Sequence, residues 1–333
     1  MNKTRLDFID RIKGIAILLV VLGHIIQLNN IDGGLNNRLF GIINSFHMPL
    51  FFIISGYVAG LGRNRISSPK LLLSYLYKKS YTLLLPLLTW SIVVQGYFFS
   101  QNIPLISWMN IVNAFIHPGL WFLQVLFEIH VLFGLFCLLE NYFNKKCRIW
   151  INLFLTLLLL FIPVMGIFWI DKGHFSSVVL FSFFFFFGSF IPRYDYIEKI
   201  LMNKIVFTIA IVSFITLSSH WQIGRSTLDV ILKVVVSFFA FITLLHITKE
   251  FKFQQTIDSQ IQLIGRESLA IYVMHFYITF QITFFSILNG CNLYMQFVIV
   301  SALAVLIAYI CIGVHRLFQK SDILNLLLYG KVR

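Results

Sequence analysis

Apolar residues in this chain come in long continuous stretches. Those at 15–28, 151–170, 205–218 and 293–312 approach or reach the ~20 residues with which a helix crosses a ~30 Å hydrocarbon core. A backbone in lipid must satisfy its own N–H and C=O groups, which leaves helices or closed barrels. Barrel strands alternate in polarity over ~10 residues, and the runs from Phe181 to Phe187 and from Val234 to Leu245 do not alternate. The pattern therefore predicts an all-α, polytopic membrane bundle of about ten transmembrane helices. The expected spans are 13–31, 39–61, 80–99, 121–140, 150–170, 176–191, 205–219, 228–247, 267–288 and 293–314.

Composition agrees with that reading. The chain is 59% hydrophobic, 12% charged and has a mean hydropathy of +0.86, whereas a soluble domain carries roughly 25% charged residues. All its Lys and Arg except Arg38, Lys172, Arg225 and Lys233 fall on one side of this topology. Because basic residues collect on the cytoplasmic side, both termini are expected to be cytoplasmic. The net charge of +13 is then topological and implies no nucleic acid. It suits anionic lipid headgroups or a polyanionic cytoplasmic ligand.

Cys137, Cys147, Cys291 and Cys311 have no metal-ligand spacing, so neither a metal nor a disulfide framework is expected. The 15–28 run passes into Gln27, Asn29 and Asn30 instead of a small-residue cleavage site, so the first helix is expected to be retained. With no repeat, linker or extramembrane segment, residues 1–333 read as a single domain.

Ionisable groups inside a bilayer are costly and usually face a bundle interior or a water-filled cavity. The first helix carries Asp10, Arg11, Lys13 and His24. Lys13 and His24 are close to three turns apart on nearly one face, about 16 Å along the axis. Gly14 and Gly23 beside them suit close helix packing. The second helix carries His47, Pro49 and Ser55, and a proline there frees a backbone carbonyl, as at a cavity wall. Counting from the outer ends places His24, His47, Glu128 and His130 in one layer, with His275 reaching mid-membrane from the other side. Plainer roles exist for several of these: Trp121 as an interfacial anchor, Glu128 as a partner of a histidine, Pro49 and Pro86 as helix shapers, and Lys78 and Lys79 as topology signals.

Four stretches carry a family resemblance. They are Asp10-Arg-Ile-Lys-Gly-Ile-Ala-Ile-Leu-Leu-Val-Val-Leu-Gly-His24, Phe46-His-Met-Pro-Leu-Phe-Phe-Ile-Ile-Ser-Gly-Tyr57, Leu120-Trp-Phe-Leu123 and Gly265-Arg-Glu-Ser-Leu-Ala-Ile-Tyr-Val-Met-His275. In that order they resemble the acyltransferase-3 family of integral membrane acyltransferases, including its fucose 4-O-acetylase-like branch. The first two stretches together are specific; the last two are weak alone.

The resemblance implies a ten-helix bundle in a bacterial inner membrane. It also implies transfer of an acyl group, most commonly acetyl, from acyl-CoA to a hydroxyl of a surface polysaccharide or lipid-linked glycan such as O-antigen, capsule or exopolysaccharide. His24 matches the family's essential histidine, and Lys13 stands where arginine is commoner. The stretch Lys78-Lys79-Ser-Tyr-Thr-Leu-Leu-Leu-Pro86 lacks the arginine the family often has there.

On that basis Lys13, Arg11 and Lys78 or Lys79 are the candidates to hold the donor's phosphates, and His24 is general base or acyl-carrying nucleophile. Glu128, or Asp10, would orient the ring, while His47, Ser55, Trp121, His130 and His275 would line the site. The competing class is a transporter or flippase of a lipid-linked sugar, with intramembrane His and Glu as a proton relay. Against it stand the missing internal repeat and the combined motifs.

Overall fold

A computed structural model describes residues 6–91, 119–143, 174–221, 226–280 and 287–331. Every regular element among them is a helix. We number the helices α1 (Asp7–Leu28), α2 (Arg38–Leu61), α3 (Pro69–Lys79), α4 (Trp121–Tyr142), α5 (His174–Phe190), α6 (Asp195–Leu201), α7 (Lys204–Ser218), α8 (Thr227–Glu250), α9 (Gln255–Arg266), α10 (Ser268–Phe280), α11 (Leu293–Phe318) and α12 (Asp322–Tyr329).

Among the described residues five helices are long and apolar enough to cross a membrane, and the pair α6 and α7, bent by 59°, would make a sixth as one broken span. The predicted spans near residues 39, 121, 176, 205, 228 and 293 each coincide with a helix. The span at 150–170 lies outside the described residues, as do parts of those at 80–99 and 267–288. Helix α1 carries Asp7, Asp10, Arg11 and Lys13 in its first two turns, so its uncharged stretch is shorter than the others.

The chain forms two compact units, Met1–Ser55 with Phe190–His315 and Gly56–Ser189 with Arg316–Arg333. In the first unit α1 packs against α9 and α10. The crossing of α1 and α9 is backbone on backbone. A Cβ on Gly14 would strike the carbonyl oxygen of Ile261, and one on Gly265 the carbonyl of Asp10. Gly23 has ordinary room beside Phe40 and Ile43, so only Gly14 of the two glycines in α1 is needed for close approach.

The α1–α2 turn is tied to the α10–α11 turn. Asp32, in the left-handed region at φ 44°, accepts from the Gly290 N–H at 2.8 Å and from the Gln296 side chain, while its own N–H donates to Asn289. Burial costs the Asp32 carboxyl little, so the Gly290 bond first and Gln296 second hold it below its usual range. Asn37 caps α2 through the N–H groups of Leu39 and Phe40 and donates to Gln296 at 3.0 Å.

The second unit packs α3 against α4. Asn141 donates to the Ile66 carbonyl at 3.0 Å, and Phe133, Phe136, Phe185 and Phe186 stack edge to face behind it. At its far end the Trp90 indole donates to the Leu328 carbonyl at 2.9 Å, and Gly330, at φ 61°, closes α12 against the Tyr81 carbonyl.

Candidate active site

Two histidines meet in the first unit. The rings of His24 on α1 and His275 on α10 have centroids 5.1 Å apart at 45°, and Phe276 meets His24 edge-on at 5.8 Å. His47 on α2 belongs to the same unit. Local bonds orient two of the rings. His275 Nδ1–H donates to the carbonyls of Ile271 and Tyr272 at 3.0 and 2.8 Å, and His47 Nδ1–H to Ile43 at 2.8 Å.

Each of these two rings, when neutral, therefore keeps its basic lone pair on Nε2. The Nε2 of His275 and the Nδ1 of His24 are buried and have no protein partner among the described residues. Gln27 lies one turn beyond His24 on α1. Two close imidazoles that each offer an unsatisfied nitrogen suit proton transfer from a hydroxyl, or attack by one nitrogen while the other holds the proton.

Pro49 explains how α2 reaches this cluster. With no N–H at Pro49, the carbonyl of Ser45 loses its intrahelical donor. The Ser237 hydroxyl on α8 supplies one at 3.0 Å, while also lying 2.5 Å from the Lys233 carbonyl. Through Ser237 the turn of α8 that carries Lys233 is thus tied to the turn of α2 that precedes His47. Ser55 lies half-buried two turns further along α2.

At the other end of α1, Arg11 is committed to structure. Its guanidinium holds both oxygens of Asp258 on α9, at 2.5 and 2.8 Å, and donates to the Thr248 carbonyl at 2.7 Å. The hydrogen bond from Asp258 raises Arg11 above its ordinary value, and the same bond holds Asp258 below the usual carboxylate range. Asp10 is buried at this crossing and Lys13 is half-buried one turn above it.

The remaining candidates lie in the second unit, on α3 and α4. Glu128 meets His174, the first residue of α5, with its carboxylate at 2.8 and 2.9 Å from Nε2, and accepts from Gln124 at 3.1 Å. His130 faces elsewhere: its Nδ1 bonds the Tyr75 hydroxyl at 2.6 Å and its ring packs on Phe185. Trp121 lies against Phe181. Lys79 sits over the Tyr75 ring at 5.7 Å, and Lys78 is exposed. His24 and His47 belong to one unit; Glu128 and His130, in the other, stand on different faces of α4, as their two-residue spacing requires.

Reading the sequence missed Lys233, His174 and Tyr75 as partners of candidate residues. Lys233 was legible only as a basic residue near a span's rim. His174 and Tyr75 had no motif to single them out.

The described residues are helical and strongly apolar, and several of their helices are long enough to cross a membrane, as in an integral membrane protein. The chain belongs to the acyltransferase-3 family: the model of that family, described as an acyltransferase domain, matches residues 6–313. The chain is similar to nodulation protein NolL of Sinorhizobium fredii, 39% identical over 89 residues, which are 26% of this chain and 23% of that relative's length. No solved structure matches the chain significantly.

Proposed function

We propose that this protein moves an acyl group, acetyl in the first instance, from cytoplasmic acyl-CoA to a hydroxyl of a surface polysaccharide or lipid-linked glycan. The observation that carries this reading is the His24–His275 pair, with its two unpartnered nitrogens, in a chain whose family transfers acyl groups. A lone pair of His24 takes the proton of the acceptor hydroxyl as that oxygen attacks the thioester carbonyl. The C–S bond then breaks, and the imidazolium returns its proton to the departing CoA thiolate. In the alternative route His24 attacks first, carries the acyl group and passes it on. His275, whose Nδ1–H is spent on backbone carbonyls, is positioned to share the proton in either route.

Donor binding belongs to the same proposal. Arg11 spends its donors on Asp258 and Thr248, so its part is to hold the helix end. Lys13 is the cation of α1 proposed for the nucleotide phosphates, about 16 Å from His24 along the helix. Lys78 and Lys79 remain proposals from the sequence. The ten-helix topology with cytoplasmic termini, in a bacterial inner membrane, completes the reading: donor and acceptor then approach from opposite faces.

The test is the O-acyl content of the host's surface polysaccharide, by proton NMR or mass spectrometry, in a deletion strain carrying wild type or His24→Ala. Ester lost on deletion, restored by wild type and absent with a normally expressed mutant supports transfer through His24. Unchanged ester with glycan accumulating inside the cell would replace this reading with a flippase.

A further inference from the structure

Lys233 has no part in the chemistry described so far, yet the fold places it with care. The Trp221 indole donates to the Asp229 carbonyl, one turn before Lys233 on α8, at 3.0 Å. That bond fixes the buried Trp221 ring, and the Lys233 ammonium sits over its face at 5.1 Å from the centroid. On the other side, Ser237 bridges the backbone of this turn to Ser45, two residues before His47.

Two other cations of this unit are paired with carboxylates, Arg11 with Asp258 and Lys249 with Glu198. Among the described residues no carboxylate pairs with Lys233. It is half-buried and keeps accessible surface. A cation inside an apolar helix that lacks a counter-charge is costly to keep unless something supplies one.

We propose that Lys233 is a specificity residue for the acceptor: it contacts a negative group, phosphate or carboxylate, carried by the glycan near the hydroxyl that His24 deprotonates. This rests on the acyl-transfer reading above. In the proposed orientation α8 enters from the outer face, so Lys233, near its start, lies on the side from which a glycan arrives. A phosphate would come from a lipid-linked sugar and a carboxylate from an acidic sugar. Lysine serves either as a compact point charge. The turn before His47 is tied to that of Lys233 through Ser45 and Ser237, so the bound anion would lie on the side of α2 that carries His47.

Equilibrium binding separates this proposal from catalysis. The protein purified in nanodiscs is titrated, without acyl-CoA, with decyl glucoside, decyl glucuronide and decyl glucosyl phosphate. Wild type should bind at least one anionic glycoside on the order of tenfold more tightly than the neutral one, as one charge-assisted contact provides. Lys233→Met should erase the preference and Lys233→Arg should keep it. Whichever anionic glycoside shows it identifies phosphate or carboxylate.

Equal binding of all three by wild type overturns the proposal, as does a preference that survives in Lys233→Met. So does an equal loss for charged and neutral glycosides, which marks Lys233 as a packing residue. Adding acetyl-CoA then reads the other claim: an anion preference with no acyl transfer keeps Lys233 as an anion contact and rejects the transferase reading.

Discussion

The Nδ1–H of His275 is spent on backbone carbonyls, so a substitution can separate the two nitrogens of one ring. Asparagine places its amide near Nδ1 and can keep the bond to Ile271 or Tyr272, but has nothing at Nε2; glutamine does the converse. If Nε2 shares the proton with His24, His275→Asn should slow acyl transfer by about ten- to a hundredfold with a near-normal melting temperature, and His275→Gln should retain more activity. Asparagine as active as histidine would confine His275 to a structural role. Transfer assayed as CoA release in detergent decides it. His24→Ala should lose about a hundredfold or more in the same assay.

Helix packing turns on glycines and one proline. Because a Cβ on Gly14 meets the Ile261 carbonyl, whereas one on Gly23 has ordinary room, Gly14→Ala should cost about 1–3 kcal/mol and Gly23→Ala little, by thermal denaturation in nanodiscs. Ser237→Ala strips the Ser45 carbonyl of the donor that Pro49 cannot supply. It should cost about 1–3 kcal/mol, and less in a Pro49→Ala background, where the helix regains its own N–H.

The α1–α9 tie adds a pH dependence. Asp258 has a folded pKa held below its ordinary value, mainly by its hydrogen bond from Arg11. Its contribution is therefore present above about pH 4, near the unfolded carboxylate value, and is lost as pH falls through the lower folded one. The melting temperature of wild type should fall in that acid range, and that of Asp258→Asn should start lower and fall less.

What could be read beforehand follows the same physics. Spans and intramembrane histidines are legible because lipid penalises polarity, so a histidine within an apolar run stands out. Partners across helices are not legible from spacing within one helix, so His174 and Tyr75, which bond Glu128 and His130, carry no signal in the sequence. Lys233 escaped because a basic residue near a span's rim is indistinguishable from a topology signal.

At the scale of the molecule, two ties in the first unit join the opposite ends of α1 to other elements, and in the proposed topology they would say which helix ends share a side of the membrane. Arg11–Asp258 joins the start of α1 to α9, and Asp32 joins the α1–α2 turn to the α10–α11 turn through Gly290 and Gln296. The two ties sit at opposite ends of α1, whose 22 residues rise about 33 Å, enough to separate the two faces of a bilayer. Under the proposed ten-span topology the bias of basic residues would put both α9 and the C-terminal Lys320 on the cytoplasmic side.

Single cysteines at Asn289, Lys252 and Lys320, in a variant whose four native cysteines are replaced by serine, test all of this at once. In right-side-out vesicles a membrane-impermeant maleimide should label only Asn289→Cys, and in inside-out vesicles only the other two. Labelling of Asn289→Cys and Lys252→Cys from one face would break the span assigned to α1. Lys320→Cys on the face of Asn289→Cys would make the number of spans odd. With the full pattern reversed, both ties survive, but the imidazole cluster lies nearer the cytoplasm and the donor and acceptor exchange sides.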